Sequence, residues 1–485
     1  MRNVGKKFGY FCVLLGTLVF VTNARATDGV VGPGNCNESG FASVLAAVDG
    51  SGGGTLTFNC GAAATITFTS YKTIANAVTI DGSDRITFDG GNVSAWLQVF
   101  ASANAVLKRL TLQHGVFNAV HALENFGTLT LVNVHVADSS STESPIVNYN
   151  TLAVRSSMFS GNTLSGATGN GGAISNLSGT LEVRDSTFTA NHAFDGGAIY
   201  IDPGSGAVRI DHSVFTGNTA GYGAGIETWG ADVWVQNSTF NGNHAQAGDG
   251  GAMWSLQGQL VVNHSEFAGN TAATTGGAIS CYGGIMNVIN SAFGSNQSGS
   301  HGGGIYSTCS FSALNVTFNG NSANGASSGG GAIYQSGSTN AVLTFATIAN
   351  NSALFGGGLY NDGATAGVMS VGNSIVSDNT GGNCDGVLAS NGYNLSNDNG
   401  CGGAFTGPGD VLNTPLPLQP FGNYGGPTST QPPQAGNPAI DHVPIASCGF
   451  PTDQRDAARP AGAACDSGAV EVGGVIDRIF ADGFD

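Results

Sequence analysis

Charge is scarce in this 485-residue chain: 9% of the residues are Asp, Glu, Lys or Arg, where about 25% is usual. Only four are lysine and seven glutamate, so the residues that normally fill exposed helix faces are nearly missing and an all-β protein is the default. No lysine or arginine occurs between Arg209 and Arg455, which leaves no basic stripe there for nucleic acid or anionic lipid. Removing the first 26 residues, with Arg2, Lys6, Lys7 and Arg25, takes the formal net charge from −17 to −21. No apolar run reaches the roughly 18 residues of a spanning helix; the longest covers residues 8–21. Glycine has no three-residue period, which excludes collagen.

The chain opens on Arg2, Lys6 and Lys7, the apolar run, and then Ala24-Arg25-Ala26. This order is that of a cleavable secretory signal, residues 1–26, rather than of a membrane anchor. Cys12 leaves with the signal. The eight cysteines that remain read as disulfides of an exported protein, and their order suggests near neighbours: Cys36 with Cys60, Cys281 with Cys309, Cys384 with Cys401, Cys448 with Cys465. A zinc site is the alternative use of such thiols, but no CxxC pair and no histidine pair stands at ligand spacing.

What is abundant is glycine, 78 residues, and a repeat accounts for it. The strings LAVRSSMFSGN, LEVRDSTFTAN, VRIDHSVFTGN, VWVQNSTFNGN, LVVNHSEFAGN, MNVINSAFGSN and FSALNVTFNGN carry Phe159, Phe188, Phe215, Phe240, Phe267, Phe293 and Phe318. Three residues after each stand Asn162, Asn191, Asn218, Asn243, Asn270, Asn296 and Asn321, and Ile348 with Asn351 and Val376 with Asn379 continue the series at intervals of 25–30 residues. Several copies contain Gly-Gly-Ala-Ile, as at Gly171–Ile174 and Gly276–Ile279. Leu181 and Val183 around Glu182 show the period-2 pattern of a half-buried strand. A unit of this size cannot bury its apolar face alone, so copies stack, each climbing about 4.8 Å. The reading is a single-stranded parallel β-helix with a disulfide-stapled C-terminal cap, in which Cys281 and Cys309, 28 residues apart, join adjacent coils. Expected segments are the N-terminal cap and first coils at 27–149, repeats at 150–380, a C-terminal module at 381–472 and a short tail at 473–485.

Gly-Gly-Ala-Ile paired with Phe-x-x-Asn at this period resembles the polymorphic outer membrane protein repeat. That resemblance implies a right-handed parallel β-helix, exported to the outer membrane, cell surface or exterior of a Gram-negative bacterium. In the C-terminal module, Gly425-Gly426-Pro427-Thr428, Asn437-Pro438-Ala439-Ile440-Asp441, Thr452-Asp453-Gln454-Arg455, Arg459-Pro460 and Cys465-Asp466-Ser467-Gly468-Ala469-Val470-Glu471 resemble the choice-of-anchor Q domain, which follows β-helix repeats in secreted bacterial proteins. There, Arg455 and Arg459 are expected to pair with Asp441, Asp453, Asp456 and Asp466 and close the final coil. The tail from Ile479 to Asp485 resembles short sorting tails.

The repeat explains most of the composition and leaves little that points to catalysis. The expected function is non-enzymatic: adhesion, or binding of extracellular or cell-surface glycans or proteins. A polysaccharide lyase or glycoside hydrolase is the alternative. Its weak candidates are Arg184, Asp185, Arg209, Asp211 and His212, which variation within the repeat explains more simply. No cofactor is expected, calcium being the ion a lyase would require. Asp195 and Asp249 share a slot two coils apart, marginal geometry for hydrolysis. His192 and His244 fit a turn position better than a ligand. Tyr222, Trp229, Trp234 and Trp254 offer a sugar-stacking face if exposed, with core packing expected for at least half of them.

Overall fold

The computed structural model describes residues 26–116, 122–166, 169–363 and 367–476. The expected signal, as far as residue 25, and the tail from residue 477 lie outside the described residues. Short strands and sharp corners wind into a parallel β-solenoid. One strand per coil builds a 13-stranded sheet, from Lys72–Ile74 to Cys384–Gly386. A 24-stranded strip receives two short strands from a typical coil, and a third strip consists of two-residue strands such as Thr219–Ala220 and His244–Ala245. Register joins each residue to its equivalent one coil on: Leu152 to Leu181 to Val208, Phe188 to Phe215, Ile174 to Ile199.

The alternation in Thr180–Arg184 turns Leu181 and Val183 inward and Glu182 outward. The strand then meets a corner in the left-handed region: Asp185 (φ 52°), His212 (45°), Asn237 (48°), His264 (44°), Asn290 (48°) and Asn315 (52°). Asn, Asp and His adopt this conformation more readily than other non-glycine residues. The serine that follows braces it, Ser186 Oγ donating to the Arg184 carbonyl (2.7 Å) and accepting the Ser157 backbone N–H (3.1 Å). At the Gly-Gly corner the first glycine has positive φ, 59° at Gly196, and a Cβ on the second, Gly197, would come within 2.4 Å of the Ala224 carbonyl oxygen one coil on. Only glycine fits there.

The seven repeat phenylalanines are fully buried and stack with centroids 4.6–4.8 Å apart. Beside them runs an asparagine ladder. Asn191 Oδ1 accepts from Asn162 Nδ2 (2.9 Å), while Asn191 Nδ2 donates to Asn218 Oδ1 (3.0 Å) and to the Phe159 carbonyl (3.0 Å). The pattern continues to Asn379. A buried amide is tolerated only when its donors and acceptors are matched, and here each ladder amide is matched by its equivalents in the adjacent coils.

The helix Glu38–Gly50 covers the first coils, with Phe41, Leu45 and Val48 buried and the Phe41 ring 4.9 Å from Phe88. The spacing of those three residues is helical, a signal that the low lysine and glutamate count obscured. All four near-neighbour cysteine pairs are disulfides, and Cys281–Cys309 joins consecutive coils with Cα atoms 5.9 Å apart. At the other end Cys401, stapled to Cys384, and Phe405 cover the core.

Beyond this cap the chain doubles back along the flank. Thr428 Oγ1 donates to the Asn290 carbonyl (3.2 Å), Asn315 Nδ2 to the Thr452 carbonyl (3.1 Å), Thr317 Oγ1 to Gln454 Oε1 (2.6 Å), and the Ala469 N–H to Thr347 Oγ1 (2.9 Å). Arg455 pairs with Asp453 (2.7 Å) and Arg459 with Glu471 (3.5 Å). Arg455 thus meets one of the expected aspartates, whereas Arg459 takes Glu471 instead and Asp456 faces His264; the module that holds them lies against the side of the solenoid rather than closing its final coil. Its apolar seat is Phe345, at a left-handed corner (φ 53°), with the Arg459 guanidinium 3.9 Å above the ring.

Phe240→Ala is expected to cost about 3–5 kcal/mol. Asn243→Ala, which strands the Asn218 amide and the Phe215 carbonyl, is expected to cost about 2 kcal/mol or more. Urea titration measures both, and hydrogen exchange should place the lost protection in the coils around residues 215–270.

Candidate functional site

The charged patch read from the sequence lies on the outer face of the 24-stranded strip. The structure brings three of its members together: Asp211 accepts from Arg184 Nη2 (3.0 Å), meets His212 Nδ1 at 2.9 Å, and also accepts from Asn237 Nδ2 (3.1 Å). Arg209 goes elsewhere, standing in the Glu182 slot with its guanidinium 4.9 Å over Trp234. Asp185 and His212 are themselves corner residues. Every member thus has a place in the coil geometry, and the one central carboxylate is taken up by neighbours. Among the described residues no three His, Cys, Asp or Glu side chains converge as a metal cage. His192 and His244 sit in the third strip and meet Thr219 and Thr271 through Nδ1.

A different constellation occupies the 13-stranded face. After each Gly-Gly corner an inward Ile, Leu or Met is followed by an outward residue, and register places Ser175, Tyr200, Glu227, Trp254, Ser280, Tyr306, Tyr334 and Tyr360 in one row. Asp195 and Tyr222 adjoin on the corner side of this row, and Trp229 and Tyr282 lie on the other. From Tyr306 to Tyr360 the rings stack nearly parallel, with centroids 5.0–5.5 Å apart, so they present edges and hydroxyls outward. Around Trp254 the rings are tilted: Trp229 at 5.2 Å and 49°, Tyr222 at 6.2 Å and 63°. Tyr222, Trp229 and Trp234 are partly exposed, and Trp254, though buried, lies outside the main apolar cluster, so core packing holds for fewer than the expected half of them. The tight interior admits the slots of Phe and Asn, and the large outward rings bury one another.

Two carboxyl groups meet within this row. Glu227 is 1% exposed, with Oε1 accepting from Trp229 Nε1 (2.6 Å) and Oε2 from the Gly196 N–H (3.1 Å). Burial, followed by the adjacent Asp195 carboxylate, pushes the Glu227 carboxyl up to about 8. Burial likewise raises Asp195, so the pair holds a shared proton near neutral pH. Asp249, in the slot of Asp195, stands two coils away with the Tyr222 coil between them, as the spacing indicated. Its own carboxylate is satisfied by Thr274, Thr275 and the Tyr282 hydroxyl (2.7 Å). Sequence reasoning missed Glu227, Tyr200, Tyr282, Tyr306, Tyr334 and Tyr360. The signal was present: GGAIY at 196–200, GGAMW at 250–254, GGGIY at 302–306, GGAIY at 330–334 and GGGLY at 356–360 place an aromatic residue in the same outward slot five times.

A carboxyl raised in the folded state stabilises the fold fully below its ordinary value near 4.5, and this contribution is lost as pH rises to about 8. The expected slope is at most roughly 1.4 kcal/mol per pH unit. Glu227→Gln, which keeps an acceptor for Trp229, should abolish this slope and be more stable than wild type at pH 8.5. Urea midpoints between pH 5 and pH 9 measure it.

A family model of the Chlamydia polymorphic membrane protein (Chlamydia_PMP) repeat matches residues 264–282 and 315–336, stretches that hold Phe267, Asn270, Phe318, Asn321 and two Gly-Gly-Ala-Ile corners. No curated protein and no solved structure matches the chain. Repeat and solenoid together support a repeat β-helix and a surface-exposed bacterial protein.

Proposed function

We propose that the chain is exported through a signal cleaved after Ala26 and acts, without catalysis, in adhesion. It binds extracellular or cell-surface glycans along the outward row of the 13-stranded face. The observation that carries this reading is the row itself: over seven coils, roughly 29 Å at about 4.8 Å per coil, four tyrosines, Trp254, the Glu227 carboxyl and Ser280 stand in register from Tyr200 to Tyr360. Tilted rings offer faces to sugar C–H groups, and phenol edges and carboxyls offer hydrogen bonds to sugar hydroxyls. The region 381–472, similar to the choice-of-anchor Q domain, braces the flank, and the tail acts as a sorting tag.

The test is a glycan-binding survey with purified mature chain, including polygalacturonate with and without calcium. Binding that Trp229→Ala weakens at least tenfold is expected, with the glycan recovered intact. Failure to bind any glycan sinks the proposal. New reducing ends or unsaturated products that disappear on substituting Asp211 or Arg209 would make the chain a lyase or hydrolase.

A further inference from the structure

We infer that Asp195 and Glu227, with the rings of Tyr222, Trp229 and Trp254 beside them, form a binding site for a protonated amine carried on a hydroxylated ring, that is, for an unacetylated amino sugar within a glycan. The inference rests on the glycan-binding reading above and narrows it to one sugar class.

Four observations converge on this class. First, the pair has no cation. Other outward carboxylates of the solenoid have partners: Glu182 has Arg155 (3.3 Å), Asp211 has Arg184 (3.0 Å), and Asp249 has neutral donors from two threonines and a tyrosine. Among the described residues no ion pair reaches Asp195 or Glu227; Arg184 is paired with Asp211, and Arg209 stands in the other strip and lies over Trp234. Second, two carboxyl groups this close remain together only by sharing a proton. An ammonium group would replace that proton and allow both to ionise, the proton leaving to solvent. Third, the surrounding rings suit a cation, since an ammonium is drawn to the faces of tryptophan and tyrosine, and Tyr222 and Trp229 are partly exposed.

Fourth, the Nε1–H of Trp254 is buried without an acceptor in a side chain that is 9% exposed, in direct register with Glu227. A buried unpaired donor is costly, and a ligand hydroxyl would satisfy it. A bare alkylammonium such as a lysine side chain would leave it unpaired. The site is open at its rim, because Asp195, Tyr222 and Trp229 are partly exposed. The other titratable groups beside the pair are Tyr200, whose hydroxyl donates toward Asp202 (3.4 Å), and Asp202 itself. Neither supplies a positive charge.

Isothermal titration of the mature chain at pH 6 with a fully deacetylated glucosamine hexamer and with its N-acetylated counterpart tests the inference. The two share every hydroxyl and differ in the amine. The deacetylated hexamer should bind at least tenfold more tightly and release a proton, seen as a dependence of the heat on buffer ionisation enthalpy. Glu227→Gln and Asp195→Asn should each remove the preference while leaving the circular dichroism unchanged, and Trp254→Phe should weaken binding severalfold. Equal binding of the two hexamers, or a preference that survives both carboxyl substitutions, overturns the inference. It does so while leaving the glycan reading standing if other glycans still bind. Binding of no glycan overturns both. An oligolysine of equal length that competes as well as the hexamer overturns the assignment to a sugar.

Discussion

Neighbouring coils repeat at the 4.6–4.8 Å separation of the stacked phenylalanines, and each solenoid side chain therefore meets its own equivalents at about that distance. A ring tolerates this by stacking flat, an asparagine by being donor and acceptor at once, and a serine by passing a hydroxyl from one backbone to the next. A charge does not tolerate it, because like charges at that distance repel unless counterions or opposite charges intervene. The scarcity of charge and the abundance of glycine are both consequences: the interior slots require neutral matched groups, and the corners require backbone that lets the next coil approach.

The same constraint makes exceptions informative. On the 24-stranded face Glu182 and Asp211 each meet a base one coil earlier, Arg155 and Arg184, although the two arginines themselves stand in register. Asp195 and Glu227 break this pattern, two acids in adjacent coils with aromatic rings instead of a base around them. Burial, and for Glu227 the neighbouring Asp195, raises both carboxyls, Glu227 to about 8, and so favours keeping a proton.

The flank has its own logic. A solenoid ends in exposed strand edges and exposed apolar core. Both ends are closed here by disulfide-linked elements, the Glu38–Gly50 helix behind Cys36–Cys60 and the Phe405 segment behind Cys384–Cys401. The later residues are then free to fold down the side. Corner residues of successive coils receive them: His264 faces Asp456, Asn290 and Asn315 bond module residues, and Phe345 seats Arg459. The corner slot thus changes use along the stack, from Asp185 and His212 to docking points farther on.

Periodicity made the solenoid legible, because a stack of equivalent coils writes its geometry into the chain as equal spacing. The Phe-x-x-Asn ladders, the glycine corners and the coil-to-coil disulfide could all be read from residues 159–379. Contacts between different slots have no such signature. Glu227 reaches Asp195 through the Gly196 corner one coil earlier, a diagonal set by how the chain turns, whereas spacing could relate Asp195 only to its equivalent Asp249, two coils away. The proline-rich region has no period at all, and its contacts span well over a hundred residues of sequence. The coil, its neutral interior and its glycine corners are written in the residues alone, since each follows from a residue meeting its own copy. Which unlike residues meet, the carboxyl pair among the rings and the module along the flank, emerges only in the folded chain, because those contacts depend on where corners aim it.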